Sequence, residues 1–139
     1  MATAALIPLA GLRPAAAVLL APEADTDPYV LTDVVDSLTP PALMLGWDDP
    51  WLQAGIANGI ATMGPCLYTA RMQITCVAGR LEPGAGIDVL EALVSFVLAR
   101  MREDPNPWPL DRVSAPLQRD LSAVTYLVAD VVYAVPTAL

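Results

Sequence analysis

Between Cys66 and Arg80 apolar and polar positions alternate: Tyr68, Ala70, Met72, Ile74, Cys76 and Ala78 fall on one side, Thr69, Arg71, Gln73 and Thr75 on the other. A period of two predicts a half-buried strand. From Gly86 to Glu103 the spacing changes to threes and fours, with Ile87, Leu90, Val94, Val97 and Met101 on one side, which predicts a helix. Asp88 in its first turn and Arg100 and Arg102 in its last suit the helix dipole. Val89, Leu93 and Phe96 widen the apolar stripe beyond what one sheet covers. A helix of that kind is covered on more than one side, and in so small a chain the second cover can be another subunit. Alternation returns from Ala123 to Val135. Ala123, Thr125, Leu127, Ala129, Val131, Tyr133 and Val135 share one face; Val124, Tyr126, Val128, Asp130 and Val132 share the other. Both faces are mostly apolar, so this strand is central or covered.

Fourteen prolines punctuate the chain, and none falls within 66–82, 84–104 or 117–135, the windows of these three elements. Pro41–Trp47 reads as a short buried strand, and Tyr29–Ser37 fits either a helix or a strand, with a short strand around Val34 the preferred reading. Arg13–Ala21 reads as a helix with Pro14 at its first position. Val113–Leu117 is expected to pair with the last strand across a polar turn, Gln118–Ser122, with Pro116 keeping it at an edge. The remaining stretches, 22–28, 48–65 and 104–111, read as loops. This order predicts an α+β fold: one mainly antiparallel sheet of about four to five strands with two helices packed on one face. The 139 residues make a single domain, 1–139, with 1–30 as an N-terminal helix or arm and 48–65 as a long loop.

Composition sharpens this picture. The chain is 55% hydrophobic and only 16% charged, too apolar for a disordered acidic tail and apolar enough that some of its surface is expected to meet partners. Its net charge of −8 argues against binding nucleic acid by phosphate neutralisation. There is no histidine, and all seven basic residues are arginine, which removes Ser-His-Asp and Cys-His catalysis, imidazole metal ligation, the phosphate-loop lysine and Schiff-base chemistry. Cys66 and Cys76, ten residues apart along one strand, would sit roughly 33 Å from each other. A disulfide needs Cα atoms within about 7 Å, so both read as reduced packing residues in a reducing compartment. The apolar stretch Ala4–Ala21 makes a poor signal peptide, since Arg13, Pro8 and Pro14 interrupt it and no early positive charge precedes it. The longest uncharged stretch, Trp51–Ala70, is broken by Gln53, Asn58, Pro65 and glycines, unlike a membrane span.

Asp48 and Asp49, in GWDDPWL, could serve as a metal or acid–base pair, but adjacent carboxylates do not converge easily and Asp-Pro is turn chemistry. Trp47 and Trp51 flank that turn and Trp108 lies in PNPWPL. Each reads either as an interface aromatic or as a cap on the core. Gly84 and Gly86 precede the helix without a full phosphate-binding fingerprint and read as a loop leading into it. Asp130, alone in an apolar strand, either pairs with Arg71 or Arg80 on a neighbouring strand or subunit, or faces solvent. None of these groups amounts to an active site, and no metal or cofactor is expected.

Three stretches, TPPALMLGWDDPWL (39–52), CLYTARMQITCVAGRLEPGAGIDVLEALVSFVL (66–98) and YLVADVVYAVP (126–136), together resemble the tail terminator, or tail completion, proteins of long-tailed bacteriophages, particularly those of actinobacteria. The resemblance spans roughly residues 32–136. It implies a non-enzymatic virion protein, assembled in the host cytoplasm and placed at the head–tail junction. There, six α+β subunits form a ring on the last tail-tube ring, stop tube polymerisation and present a surface to head-completion (stopper) proteins. DNA passes the pore of such a ring without specific binding. Six copies at −8 each carry −48 in all, and a negative lumen repels phosphate. A head-to-tail ring uses two unlike surfaces per subunit. Trp47, Asp48, Asp49 and Trp51 are expected at an axial or intersubunit contact, with Phe96, Arg71, Asp130 and Trp108 as further contact candidates. The family supplies no catalytic residue to carry over. Two other readings compete. One is another head–tail connector such as a stopper, although stoppers tend to be small β-barrels rather than strand–helix–strand folds. The other is a small carboxylate-dependent hydrolase using Asp48, Asp49 or Asp130 in a cleft. A secreted or membrane-associated protein, suggested by the apolar N-terminus, is a weaker third.

Overall fold

The computed structural model describes residues 7–21, 29–31, 41–54, 56–57, 60–61, 67–80, 86–102, 108–121 and 124–138. In chain order the elements are α1 (Leu9–Leu19), β1 (Tyr29–Leu31), β2 (Ala42–Ala54), β3 (Ile56–Ala57), β4 (Ile60–Ala61), β5 (Leu67–Arg80), α2 (Ile87–Met101), β6 (Leu110–Val113), β7 (Leu117–Leu121) and β8 (Val124–Ala138). The fold is α+β. Six strands make a sheet in the order β1-β2-β5-β8-β6, with β7 also on β8, and β3 and β4 form a separate two-stranded hairpin. Every pairing in the large sheet is antiparallel except β1 with β2. β6 lies along residues 131–133 of β8 and β7 along 124–128, so the two are halves of one interrupted border strand.

The alternation read from the sequence sets the layers. Ala70, Met72, Ile74, Cys76 and Ala78 of β5 and Leu127, Ala129, Val131, Tyr133 and Val135 of β8 join Leu12, Ala16 and Leu20 of the α1 region and Leu90, Leu93, Val97 and Met101 of α2 in one core. Burying each such large side chain contributes about 1.5–3 kcal/mol. Both helices therefore lie on one face of the sheet. The opposite face holds a smaller cluster, Val77, Tyr126 and Val128, with Met44, Leu117, Leu121 and Val124 against it.

Several local expectations are corrected. The first helix begins at Leu9 rather than Arg13. Pro8 occupies its N-cap position and Pro14 lies inside it, on the exposed side. Proline is tolerated there at the cost of one main-chain hydrogen bond. On α2 it is Leu93, not Ile87, that completes the inward stripe; Ile87 is exposed and Val94 half-buried. The stretch expected as a loop from 48 to 65 carries β2 as far as Ala54 and then β3 and β4. Gln118–Leu121, read as a turn, is strand β7, because Leu117, Arg119 and Leu121 face the sheet's open side while Gln118 and Asp120 are exposed. Val34, Cys66, Gly84 and the 22–28 loop lie outside the described residues. Gly86, at the N-cap of α2, has φ 111°, a region that suits glycine, and a Cβ there would stand 3.0 Å from Leu127 Cδ2. At the other end of α2 the Trp108 N–H donates to the Met101 carbonyl at 2.9 Å, and the Ala134 N–H donates to the Pro109 carbonyl at 3.0 Å, which starts β6 against β8. Among the described residues no helix is long and apolar enough to cross a membrane.

Candidate functional site

The pairing of β2 with β5 is regular from Ala42 to Trp47, opposite Met72, and resumes at Leu52, opposite Ala70. Four residues of β2, Asp48 to Trp51, therefore stand against the single residue Arg71. A bulge of this kind bends its strand and re-aims side chains. Here it brings Trp51 round to the helix side, where its ring lies 5.3 Å from that of Trp47 at an interplanar angle of 31°. Both rings line an open recess of about 430 Å³ with Leu9, Ala10, Arg13 and Pro14 of α1. Trp51 is 47% exposed, and the outer positions of α1, Ala10, Pro14 and Val18, are apolar and exposed as well.

On the open side the bulge is filled by charge. Arg71 Nη2 is 3.0 Å from Asp48 Oδ2 and 2.6 Å from Asp111 Oδ2, while Nη1 donates to the Asp49 carbonyl at 3.4 Å. Arg112 Nη2 donates to both oxygens of Asp48, at 3.3 and 3.2 Å. The hydrogen bond to Asp111, and then the charges of Asp48 and Asp49, raise the affinity of Arg71 for its proton.

Asp130 answers the question left open by its sequence. It is 4% exposed and faces neither solvent nor Arg71. Its partner is Arg119 on β7, which donates from Nη1 to Oδ1 at 2.9 Å and from Nη2 to Oδ2 at 2.7 Å. The Thr75 hydroxyl donates to Oδ1 at 2.8 Å, and the Asp130 N–H donates to the Ser114 hydroxyl at 2.9 Å. Burial pushes this carboxyl up, but the hydrogen bonds from Arg119 and Thr75, with the charges of Arg119 and Arg112, together outweigh it and hold Asp130 below the usual carboxylate value. The same contact raises Arg119.

Of the eight residues singled out from the sequence, five converge on the bulge: Trp47, Asp48, Asp49, Trp51 and Arg71. The other three lie apart. Trp108 is buried and meets Tyr133 edge-on, with ring centroids 6.5 Å apart and planes at 86°, so it caps the core. Phe96 is half-buried beneath the Arg100 guanidinium, 4.8 Å from its centroid. Asp111, Arg112 and Arg119 were missed, yet the alternation of Leu117, Arg119 and Leu121 is a signal that could have placed Arg119 on the sheet's open face.

A second opening, about 300 Å³, lies between α2 and the interrupted border strand, lined in part by Leu90, Val94, Val113, Pro116 and Ala129. Of this lining Val113 is an exposed apolar side chain; Ile87 and Leu110 are also exposed, towards opposite ends of β8, beside Leu127 and Tyr133 respectively. Neither opening is lined by Asp48, Asp49 or Asp130. Asp48 and Asp130 are each engaged by guanidinium groups, which suits them to structural pairing rather than proton transfer. Among the described residues no group of three or more acidic or cysteine side chains could hold a metal. Cys76 is a buried free thiol, raised to about 12 by burial first and then by the charge of Asp130. The chain matches no family model, no curated protein and no solved structure.

Proposed function

We propose that the protein is a ring-forming tail terminator of a long-tailed bacteriophage, capping the tail tube and joining it to the head-completion proteins. The reading rests on the resemblance of residues 39–52, 66–98 and 126–136 to that family. The structural observation that supports it best is the pair of unlike apolar surfaces left uncovered. One is the Trp51 bulge beside α1; the other is the opening between α2 and the β6–β7 border, lined in part by Leu90, Val94, Val113 and Pro116. A head-to-tail ring needs two different, mutually complementary patches on each subunit, whereas a two-fold dimer needs one. In this reading the Trp51 side of one subunit meets the α2–β6 side of the next. The tube-facing surface copies the tube's own stacking contacts and the opposite surface does not.

The test is electron microscopy of particles assembled without this protein, together with the native mass of the purified chain. Overlong tails are the expected defect, and a six-subunit mass that falls to one subunit in Trp51→Ala is the expected assembly behaviour. Detached tails of normal length with leaking heads would identify a stopper instead, and normal virions would end the reading altogether.

A further inference from the structure

Arg71 faces two elements at once. Its Nη2 stands 3.0 Å from Asp48 in the β2 bulge and 2.6 Å from Asp111 in β6, and its Nη1 holds the Asp49 carbonyl. Arg112, beside Asp111, returns to Asp48 at 3.2 Å. In the sheet, β2 and β6 are separated by both β5 and β8. These four side chains thus close a strap across the open face, joining strands that do not touch through their backbones. The inner pair, Asp48 and Arg71, is nearly buried; the outer pair, Asp111 and Arg112, is exposed at the border of the sheet.

We propose that Arg71 is a positioning residue that couples the border strand β6 to the Trp51 bulge, so that a change at one surface is read at the other. The argument is geometric. Only Arg71 stands opposite the four-residue bulge, and its guanidinium ties down both a side chain and a main-chain carbonyl of that bulge. The same nitrogen is shared with Asp111, so moving or neutralising Asp111 frees the guanidinium on its outer side and alters its grip on Asp48 and Asp49. Those two residues join Trp47 to Trp51 through Pro50, so their placement sets how the two indoles stack. Charge pairs at the exposed border are also the first to be screened by salt. A neighbour or an ion acting on Asp111 therefore reshapes an aromatic surface on the other side of the sheet. The coupling is a property of the lone subunit and does not depend on the ring reading.

Two indoles this close give an exciton couplet in circular dichroism, assigned by its loss in Trp51→Phe. Asp111→Asn is expected to lose most of the couplet and to make tryptophan fluorescence more quenchable by acrylamide, with far-UV helix and strand signals unchanged; Asp111→Glu restores both. Arg71→Met loses the couplet too, and added salt moves the wild type toward the Asp111→Asn spectrum. A wild-type couplet in Asp111→Asn overturns the proposal, whether or not Arg71→Met loses its own, since the arginine would then only prop the bulge locally. Should Arg71→Met fail to fold, Asp111→Asn and the salt titration still decide.

Discussion

Replacing Arg119 by methionine removes both guanidinium bonds to Asp130, at 2.9 and 2.7 Å, and leaves the Thr75 hydroxyl as the side-chain donor still in place. Asp130 is 4% exposed, so its charge then sits in the protein with little compensation. Breaking a buried pair from this side costs about 3–5 kcal/mol. Breaking it from the other side costs less. In Asp130→Asn the Arg119 side chain, 32% exposed, can turn to water, and the loss is about 1–2 kcal/mol. The double replacement Arg119→Met with Asp130→Leu removes both charges and is expected within about 1 kcal/mol of the wild type, so the single effects do not add. Urea unfolding followed by circular dichroism, at one fixed protein concentration because association adds to apparent stability, measures all three. The pH dependence carries an independent sign. In the wild type Asp130 is held below its ordinary value, so its stabilisation is fully present above the unfolded carboxyl value and is lost as pH falls through the lower folded one. Without Arg119 the burial is opposed by Thr75 and Arg112 alone, so the folded carboxyl value rises relative to wild type and the deficit of Arg119→Met shrinks as the solution is acidified. An Arg119→Met variant that loses no more stability than Asp130→Asn, or whose deficit stays constant down to acid pH, would refute the account of a buried, arginine-dependent charge.

Gly86→Ala places a Cβ 3.0 Å from Leu127 at φ 111° and is expected to lose about 1–3 kcal/mol in the same unfolding assay. Leu90→Ala, at a 2% exposed site between α2 and the sheet, should lose about 2–5 kcal/mol with the far-UV spectrum retained. Cys76, buried and with its thiol raised to about 12, should resist thiol reagents at pH 8 in the native protein and react only as fast as the fold opens, as a labelling time course in and out of denaturant will show.

The three proline-free windows hold β5, α2, and β7 with most of β8, because each keeps its period over most of its length, and a period is what a core face requires; β5 shifts register against β8 between Val77 and Gly79, and β8 runs on through Pro136 to Ala138. Legibility failed where a local signal had two meanings. Pro14 fits the start of a helix as well as its exposed interior, and it was Pro8, three residues before Gly11, whose carbonyl took the first bond. The run Gln118–Ser122 resembles a polar turn until the alternation of Leu117, Arg119 and Leu121 is weighed against Asp130, whose buried charge calls for a cation on a neighbouring strand. The bulge at Asp48–Trp51 breaks the period of two, so its composition of two carboxylates and a proline read as loop. The contacts that organise it were out of reach: Arg71 meets Asp111 across 40 positions of sequence and Arg112 meets Asp48 across 64. A one-dimensional pattern shows which face a residue takes and says nothing of which distant residue shares it.

The interruption between β6 and β7 has a consequence for how this chain avoids sticking to itself in the wrong way. A polypeptide with 55% hydrophobic and 16% charged residues invites open-ended sheet growth wherever it offers a long free border. This border is cut into pieces of four and five residues, with Pro116 between them lacking an N–H and the Ser114 N–H turned inward to the Asp130 carbonyl at 2.8 Å. Neighbouring copies cannot zip together there along one continuous backbone ladder. Any association at this rim must instead be made by side chains, whose shapes fix an angle and a stopping point, and fibre-like stacking is discouraged by the chain itself.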